Sequence, residues 1–344
     1  MKMNRLLMLL PLMGALSVPQ QGISQHKKIV IAHRGASGYL PEHTLAAKAM
    51  AYAMGVDYIE QDIVMTSDNH LVILHDIYLD TVTDVAERFP DRARENGRYY
   101  AIDFTLAEIK SLNAHERISV KTGNAVFPNR FPVNSAARFK VPTLEEEIEM
   151  LASLNASTGN VVGLYVEIKA PAWHQKEGKD ISKKVLMTLA AYGYEDETDS
   201  IFVQCFDPEE LKRMRYELKT RLPLVQLIDA MGGYESDADY DAMRTPEGIA
   251  GVAKYAQGIG PKITHIASGI DENGRPILSD LMQSVRAHNL MVHPYTFRQE
   301  QLPPEIPDIE TLHEILLYDI GVDGVFTDFP DKAVSVIKKR EGRE

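Results

Sequence analysis

Four short stretches place charge where an apolar, strand-like run ends. In DYIEQDIVMT, Glu60 and Asp62 stand two residues apart. Side chains on a strand alternate faces, so both carboxylates point the same way. Two carboxylates aimed together repel unless a cation or a proton relieves them, and a hard divalent cation is the natural relief. The plainer alternative is a pair of exposed edge positions on an acidic protein. LYVEIKAP repeats the spacing with Glu167 and Lys169. Glu167 can complete a three-carboxylate metal site with Glu60 and Asp62, while Lys169 holds an anionic group. Alternatively the two form an internal ion pair, since a buried charge is rarely left unpaired.

The other two stretches end in histidine: His33 in VIAHRGAS and His75 in VILHD. Imidazole titrates near neutral pH, so this pair can serve as general acid and base, or can ligate a metal. Arg34 is permanently charged and suits bidentate contact with a phosphate. Together these residues point to metal-assisted cleavage of a phosphate ester. Weaker signals follow. FVQCFDP puts Gln204 and Phe206 on one face, and MVHPYTFR offers His293, Tyr295 and Arg298 as pocket or core residues. Thr327 and Asp328 in DGVFTDFP read as a cap or a loop-fixing pair. His26, His70, His115, His174, His265, His288 and His313 have no partner pattern and read as surface or loop residues. The single tryptophan, Trp173, follows Lys169 closely enough to border a pocket there.

The elements that must position these groups follow from hydrophobic periodicity. Apolar β-type runs fall at residues 28–34, 56–65, 161–169, 200–206, 222–228, 262–268, 290–297 and 322–327. Helical apolar spacing marks 45–54, 181–192, 208–218 and 309–320 between them. Strand–helix alternation implies a parallel sheet with both faces covered, and eight units match a closed (β/α)₈ TIM barrel. A doubly wound open sheet is the alternative, but no glycine-rich nucleotide fingerprint follows a strand. The run 71–75 follows a hairpin-like TSDNH turn and reads as an antiparallel extension of the second strand. Residues 77–141 break the rhythm as a long insertion, whose Phe and Tyr content predicts an ordered cap.

The chain as a whole sets bounds. Its 344 residues are 44% apolar and 25% charged, an ordinary globular composition. Residues 1–24 combine Lys2 and Arg5, a short apolar stretch and small residues, which reads as a secretory signal peptide. Without Lys2 and Arg5 the net charge moves from −12 to −14, which argues against nucleic acid or an anionic membrane as partner. No later run is long enough to insert stably in a membrane. Cys205 is the only cysteine, so no intrachain disulfide can form, and a lone thiol is most often a buried small hydrophobe. Residues 339–344 form a charged tail, expected to fray.

HRGASGYLPEHT, IEQDIVMTSDNHLVILHD, VGLYVEIKAP, VQCFDP, VHPYTFR and VDGVFTDFP together resemble the glycerophosphodiester phosphodiesterase family. The insertion and VHPYTFR look like its periplasmic, calcium-dependent branch. The resemblance runs from about residue 28 to 336. It implies a TIM barrel over 28–338 that hydrolyses small glycerophosphodiesters to glycerol 3-phosphate and an alcohol. It implies His33 and His75 as catalytic, and Glu60, Asp62 and Glu167 as ligands of one divalent metal, calcium first and magnesium second. Arg34 and Lys169 would contact phosphate, Gln204, Phe206 and Tyr295 would line the substrate site, and Glu42 would support it. Two departures stand out: Cys205 replaces a common serine, and Tyr295 replaces a common tryptophan. The oligomeric state stays open, a dimer included. The rivals are a lipid phosphodiesterase on the same barrel and a binding protein that has lost its activity.

Overall fold

A computed structural model describes residues 27–230, 235–270, 272 and 276–343. The expected signal peptide and His26 lie outside these residues. Eleven strands occur among them: β1 (Ile29–Ala32), β2 (Tyr58–Met65), β3 (Leu71–Ile73), β4 (Gly163–Ile168), β5 (Ile201–Cys205), β6 (Leu224–Ile228), β7 (Gly258–Pro261), β8 (Ala267–Ile270), β9 (Pro276–Leu278), β10 (Met291–Val292) and β11 (Gly324–Thr327). Eight run parallel in the order β10, β7, β6, β5, β4, β2, β1, β11. Across the remaining seam, Asp323 N–H donates to Val292 C=O at 3.0 Å and Phe326 N–H to Pro294 C=O at 3.1 Å. The sheet is thus a nearly closed TIM barrel. β3 pairs antiparallel with β2, with Ile73 opposite Ile63, as the hairpin turn predicts.

The sixth barrel strand is a correction. It is Gly258–Pro261, whereas the apolar run at 262–268 forms a 3₁₀ turn and the start of the separate β8–β9 hairpin. Two glycines and a proline hide β7 from a propensity reading, since both residue types are depleted in strands. Packing demands at least one of them: a Cβ on Gly260 would come within 2.5 Å of Leu227 Cδ2.

Strand parity explains where the charges go. Apolar residues on the outward face pack against helices such as Leu45–Met54, Leu144–Thr158 and Ile181–Ala191 in the main core. The inward face begins with a plug of Ile31, Tyr165, Phe202, Val225 and Phe326. Tyr165 stacks on Phe202 with ring centres 4.9 Å apart, and Phe326 meets Tyr165 edge-on at 4.8 Å. Two residues further along, the same parity brings His33, Glu167, Gln204 and Asp328 above that plug. Cys205 faces the other way, is fully buried, and joins the outer core as expected.

Residues between β3 and the helix Leu144–Thr158 carry their own core of Leu79, Val82, Tyr100, Ile102, Phe104 and Ile109, seated on Val64, Val72 and Leu74 of the barrel. Trp173 belongs to this seam and stacks on Tyr100 at 5.6 Å. The final helix, Pro330–Arg340, runs two residues into the expected tail.

Candidate active site

A cavity of about 460 Å³ opens at the C-terminal ends of the strands. Its lining includes His33, Arg34, His75, Glu167, Gln204, Phe206 and Tyr295. None of the residues lining it belongs to 77–141.

β1 ends in a backbone reversal. Arg34 and Gly35 both adopt left-handed φ values, 60° and 83°. The turn is tight: a Cβ on Gly35 would lie 2.7 Å from the backbone of Ala47. Holding a non-glycine residue there costs about 1–2 kcal/mol. The reversal points Arg34 N–H at Glu60 Oε2, 2.6 Å away, and sends the guanidinium to Glu42 at 3.1 Å. The helix that follows starts at Thr44, whose side chain caps it by accepting from Ala47 N–H. Glu42 thus pairs with the Arg34 guanidinium, and it is fastened from the far side by Arg117 at 2.6 Å.

Glu60, Asp62 and Glu167 each bring one oxygen to within 4.8 Å of the others, and all three are buried. Glu60 Oε1 and Asp62 Oδ1 accept no hydrogen bond from any described residue. Burial, reinforced by the neighbouring carboxylates, pushes Glu60 well above its ordinary value. Burial raises Glu167 in the same way, more than Lys169 lowers it. Asp62 goes the other way: burial raises it, but Lys169, His75 and His43 outweigh that and hold it well below. Three carboxyls with buried lone pairs and opposed proton affinities fit a hard divalent cation held by oxygen.

Each histidine at the mouth has a carboxylate behind it. His33 Nδ1 lies 2.5 Å from Asp328 Oδ1, and His75 Nδ1 lies 2.7 Å from Asp76 Oδ1. A carboxylate accepts only from an N–H, so Nδ1 carries the proton and Nε2 keeps its lone pair. Burial and Arg34 push His33 down to about 4 despite Asp328. Burial, Arg34 and Lys169 push His75 down to about 3. Both imidazoles are thus neutral near pH 7. Lys169 is an ion-pair hub, 2.6 Å from Glu167, 2.5 Å from Glu235 and 3.7 Å from Asp62. Gln204 donates to Glu167 Oε2 at 3.3 Å. Phe206 lies 5.6 Å below the Lys169 ammonium and 5.8 Å from Tyr295.

The sequence reading missed several partners. Thr327 does accept from Phe329 N–H at 3.1 Å, and Asp328 does fix loops through Arg130 and Arg298, but Asp328 also pairs with His33. Barrel closure carries the signal, because β11 lies beside β1 with Thr327 level with Ala32. His43 Nε2 contacts Asp62 Oδ2 at 2.7 Å, and Lys48 Nζ reaches the Glu60 carbonyl and Glu147 from behind. His174 and His313 are fully buried, not on the surface, and His293 bonds Tyr165 Oη at 2.9 Å.

A family model described as the glycerophosphoryl diester phosphodiesterase family matches residues 33–332. A glycerophosphodiester phosphodiesterase of Haemophilus influenzae is 46% identical over 90% of this chain and 90% of its own length. One from Treponema pallidum is 37% identical over 91% of this chain and 92% of its own. Among solved structures, a putative glycerophosphoryl diester phosphodiesterase from Silicibacter pomeroyi aligns with a TM-score of 0.69 at 23% identity, covering 92% of this chain and 95% of that one. An Oleispira antarctica phosphodiesterase in complex with the product sn-glycerol-3-phosphate aligns at 0.59 and 21% identity, covering 91% and 97%.

Proposed function

Because the chain belongs to the glycerophosphoryl diester phosphodiesterase family, we propose that it hydrolyses small glycerophosphodiesters, such as glycerophosphocholine, to sn-glycerol 3-phosphate and an alcohol, with His33 and His75 as its acid–base pair. One observation carries the roles. Two imidazoles, each with Nδ1 tied to a carboxylate, line one cavity together with Arg34 and Glu167.

Glu60, Asp62 and Glu167 would hold one divalent cation, calcium in the first place and magnesium as the alternative. Such a cation supplies Lewis-acid relief of the charge that builds on phosphate oxygens. Arg34 is held by Glu42 with its fork fixed, which suits it to orient the phosphodiester. Lys169 holds Glu167 and Asp62 in place and adds positive charge beside them. The attacking oxygen gives its proton to Nε2 of one histidine; it comes from water, or from the glycerol 2-hydroxyl, in which case water opens the resulting cyclic phosphate in a second step. The bond from phosphorus to the leaving oxygen breaks as Nε2–H of the other histidine protonates that oxygen. A bound phosphodiester anion favours the imidazolium this second group requires. Phe206 and Tyr295 are left to hold the head group.

The leader composition supports a periplasmic home. Among the described residues no helix is long and apolar enough to cross a membrane. The test is glycerol 3-phosphate release from glycerophosphocholine, with calcium, with a chelator, and with His33→Ala. Release that needs both calcium and His33 is expected. Equal release by His33→Ala would remove the acid–base assignment. No release from any glycerophosphodiester would move the substrate to a lipid.

A further inference from the structure

The insertion contributes nothing to the cavity lining, yet it reaches both histidines from behind. Asp328 divides its oxygens: Oδ1 meets His33 Nδ1, while Oδ2 accepts from Arg130 at 2.7 Å and Arg298 at 3.0 Å. Asp76 divides its own in the same way: Oδ1 meets His75 Nδ1, while Oδ2 accepts from Arg117 at 2.6 Å and Thr81 at 2.9 Å. The two carboxylates come from different elements, one after β11 and one after β3. Both are gripped by an arginine of the insertion.

We infer that the insertion is a positioning part of the catalytic apparatus, in which Arg130 and Arg117 set the planes of Asp328 and Asp76 and thereby aim Nε2 of His33 and His75 at the substrate. This rests on the acid–base reading above. The arginines are themselves held. Arg130 lies 3.8 Å over the Phe127 ring, pairs with Glu300 at 2.8 Å, and its side chain is only 4% exposed. Arg117 spans from Asp76 to both oxygens of Glu42, so it steadies Arg34 as well. A carboxylate gripped on one oxygen cannot turn, and the imidazole bonded to its other oxygen cannot turn either. Outer partners of this kind typically carry about 10–100-fold of activity.

Arg94 provides the control. It anchors the same insertion through Asp103 at 2.7 Å and Glu177 at 3.0 Å, with no contact to either histidine's carboxylate. We would compare Arg130→Met, Arg130→Lys and Arg94→Met in the full protein, measuring kcat, KM, melting temperature and the ¹⁵N shifts of the His33 ring, assigned with His33→Ala. Arg130→Met should lower kcat about tenfold, since Arg298 remains, and leave KM within about twofold. Its His33 Nδ1 signal should move toward a mixture of tautomers. Arg130→Lys should recover part of the loss, and Arg94→Met should keep kcat even where it lowers the melting temperature. An unchanged kcat in Arg130→Met, or an equal fall in Arg94→Met, would overturn the inference, because the insertion would then matter only by docking. An active His33→Ala protein would instead overturn the acid–base reading beneath it.

Discussion

The two halves of the barrel mouth are built on different principles. One half comes from the ends of β1, β2, β3 and β4 and carries His33, Arg34, Glu60, Asp62, His75 and Glu167. The other comes from the segments after β6, β7 and β10 and carries Asp229, Tyr240, Lys262, Tyr295 and Arg298. In the first half the side chains of Asp62 and Glu167 are 1% and 8% exposed. In the second, the ion pair of Asp229 and Lys262 is 26% and 39% exposed. Strand ends hold charged groups by parity and burial, which fixes distances between reacting atoms. Loops hold them by contacts that can be exchanged, which suits a surface meeting variable alcohols. The function proposed above puts the chemistry in the first half and selectivity in the second.

The sharpest way to break this division is to remove an imidazole. His33→Ala and His75→Ala should each cost about 10²–10⁴ in kcat, with KM less affected. A loss confined to KM would place these residues among the binding groups instead.

Calcium should come next. At about a hundred times its dissociation constant it should stabilise the folded protein by about 2.7 kcal/mol, and Asp62→Ala should abolish that gain. Thermal melts with and without calcium read this directly. A calcium-induced gain that survives in Asp62→Ala would put the cation outside the carboxylate cluster.

A third test touches the support beneath the loop half. His313 stacks on Phe297 at 4.7 Å with neither ring nitrogen bonded to a described residue, and burial pushes it down to about 3. Below about pH 6.5 the unfolded chain binds a proton that the folded one refuses. Stability that is intact above that pH is therefore lost as pH falls toward 3, by roughly 2–3 kcal/mol at pH 4.5. His313→Phe should lose that much less than the parent protein when urea unfolding is compared at pH 7 and 4.5. Identical losses would mean that the ring titrates normally.

The smallest effect should fall on the loop half itself. Tyr295→Ala should change kcat/KM by about tenfold, chiefly through KM, and reorder the preference among glycerophosphocholine, glycerophosphoethanolamine and glycerophosphoglycerol. A uniform fall in kcat across all three would erase the division between the halves.

Parity along single strands was enough to gather Glu60 with Asp62 and Glu167 with Lys169, because an alternation of period two is a local property of the chain. The same holds for His33 at the end of one apolar run and His75 at the end of another, and for the antiparallel return of β3. Strand β7 escaped, since its glycines answer to Leu227 and Met291 on neighbouring strands and leave no hydrophobic trace. The groups behind His33 escaped for a related reason. Asp328 lies 295 residues from His33, and Arg130 lies 198 residues from Asp328. Only closure of the barrel, which sets β11 beside β1, and docking of the insertion's separate core bring them together. Local alternation already placed the charged groups at strand ends and on a common face. His75 finds its carboxylate in the next residue, but the carboxylate behind His33 and the arginines behind both carboxylates were set by the tertiary fold, because those charges find their partners through space and not along the chain.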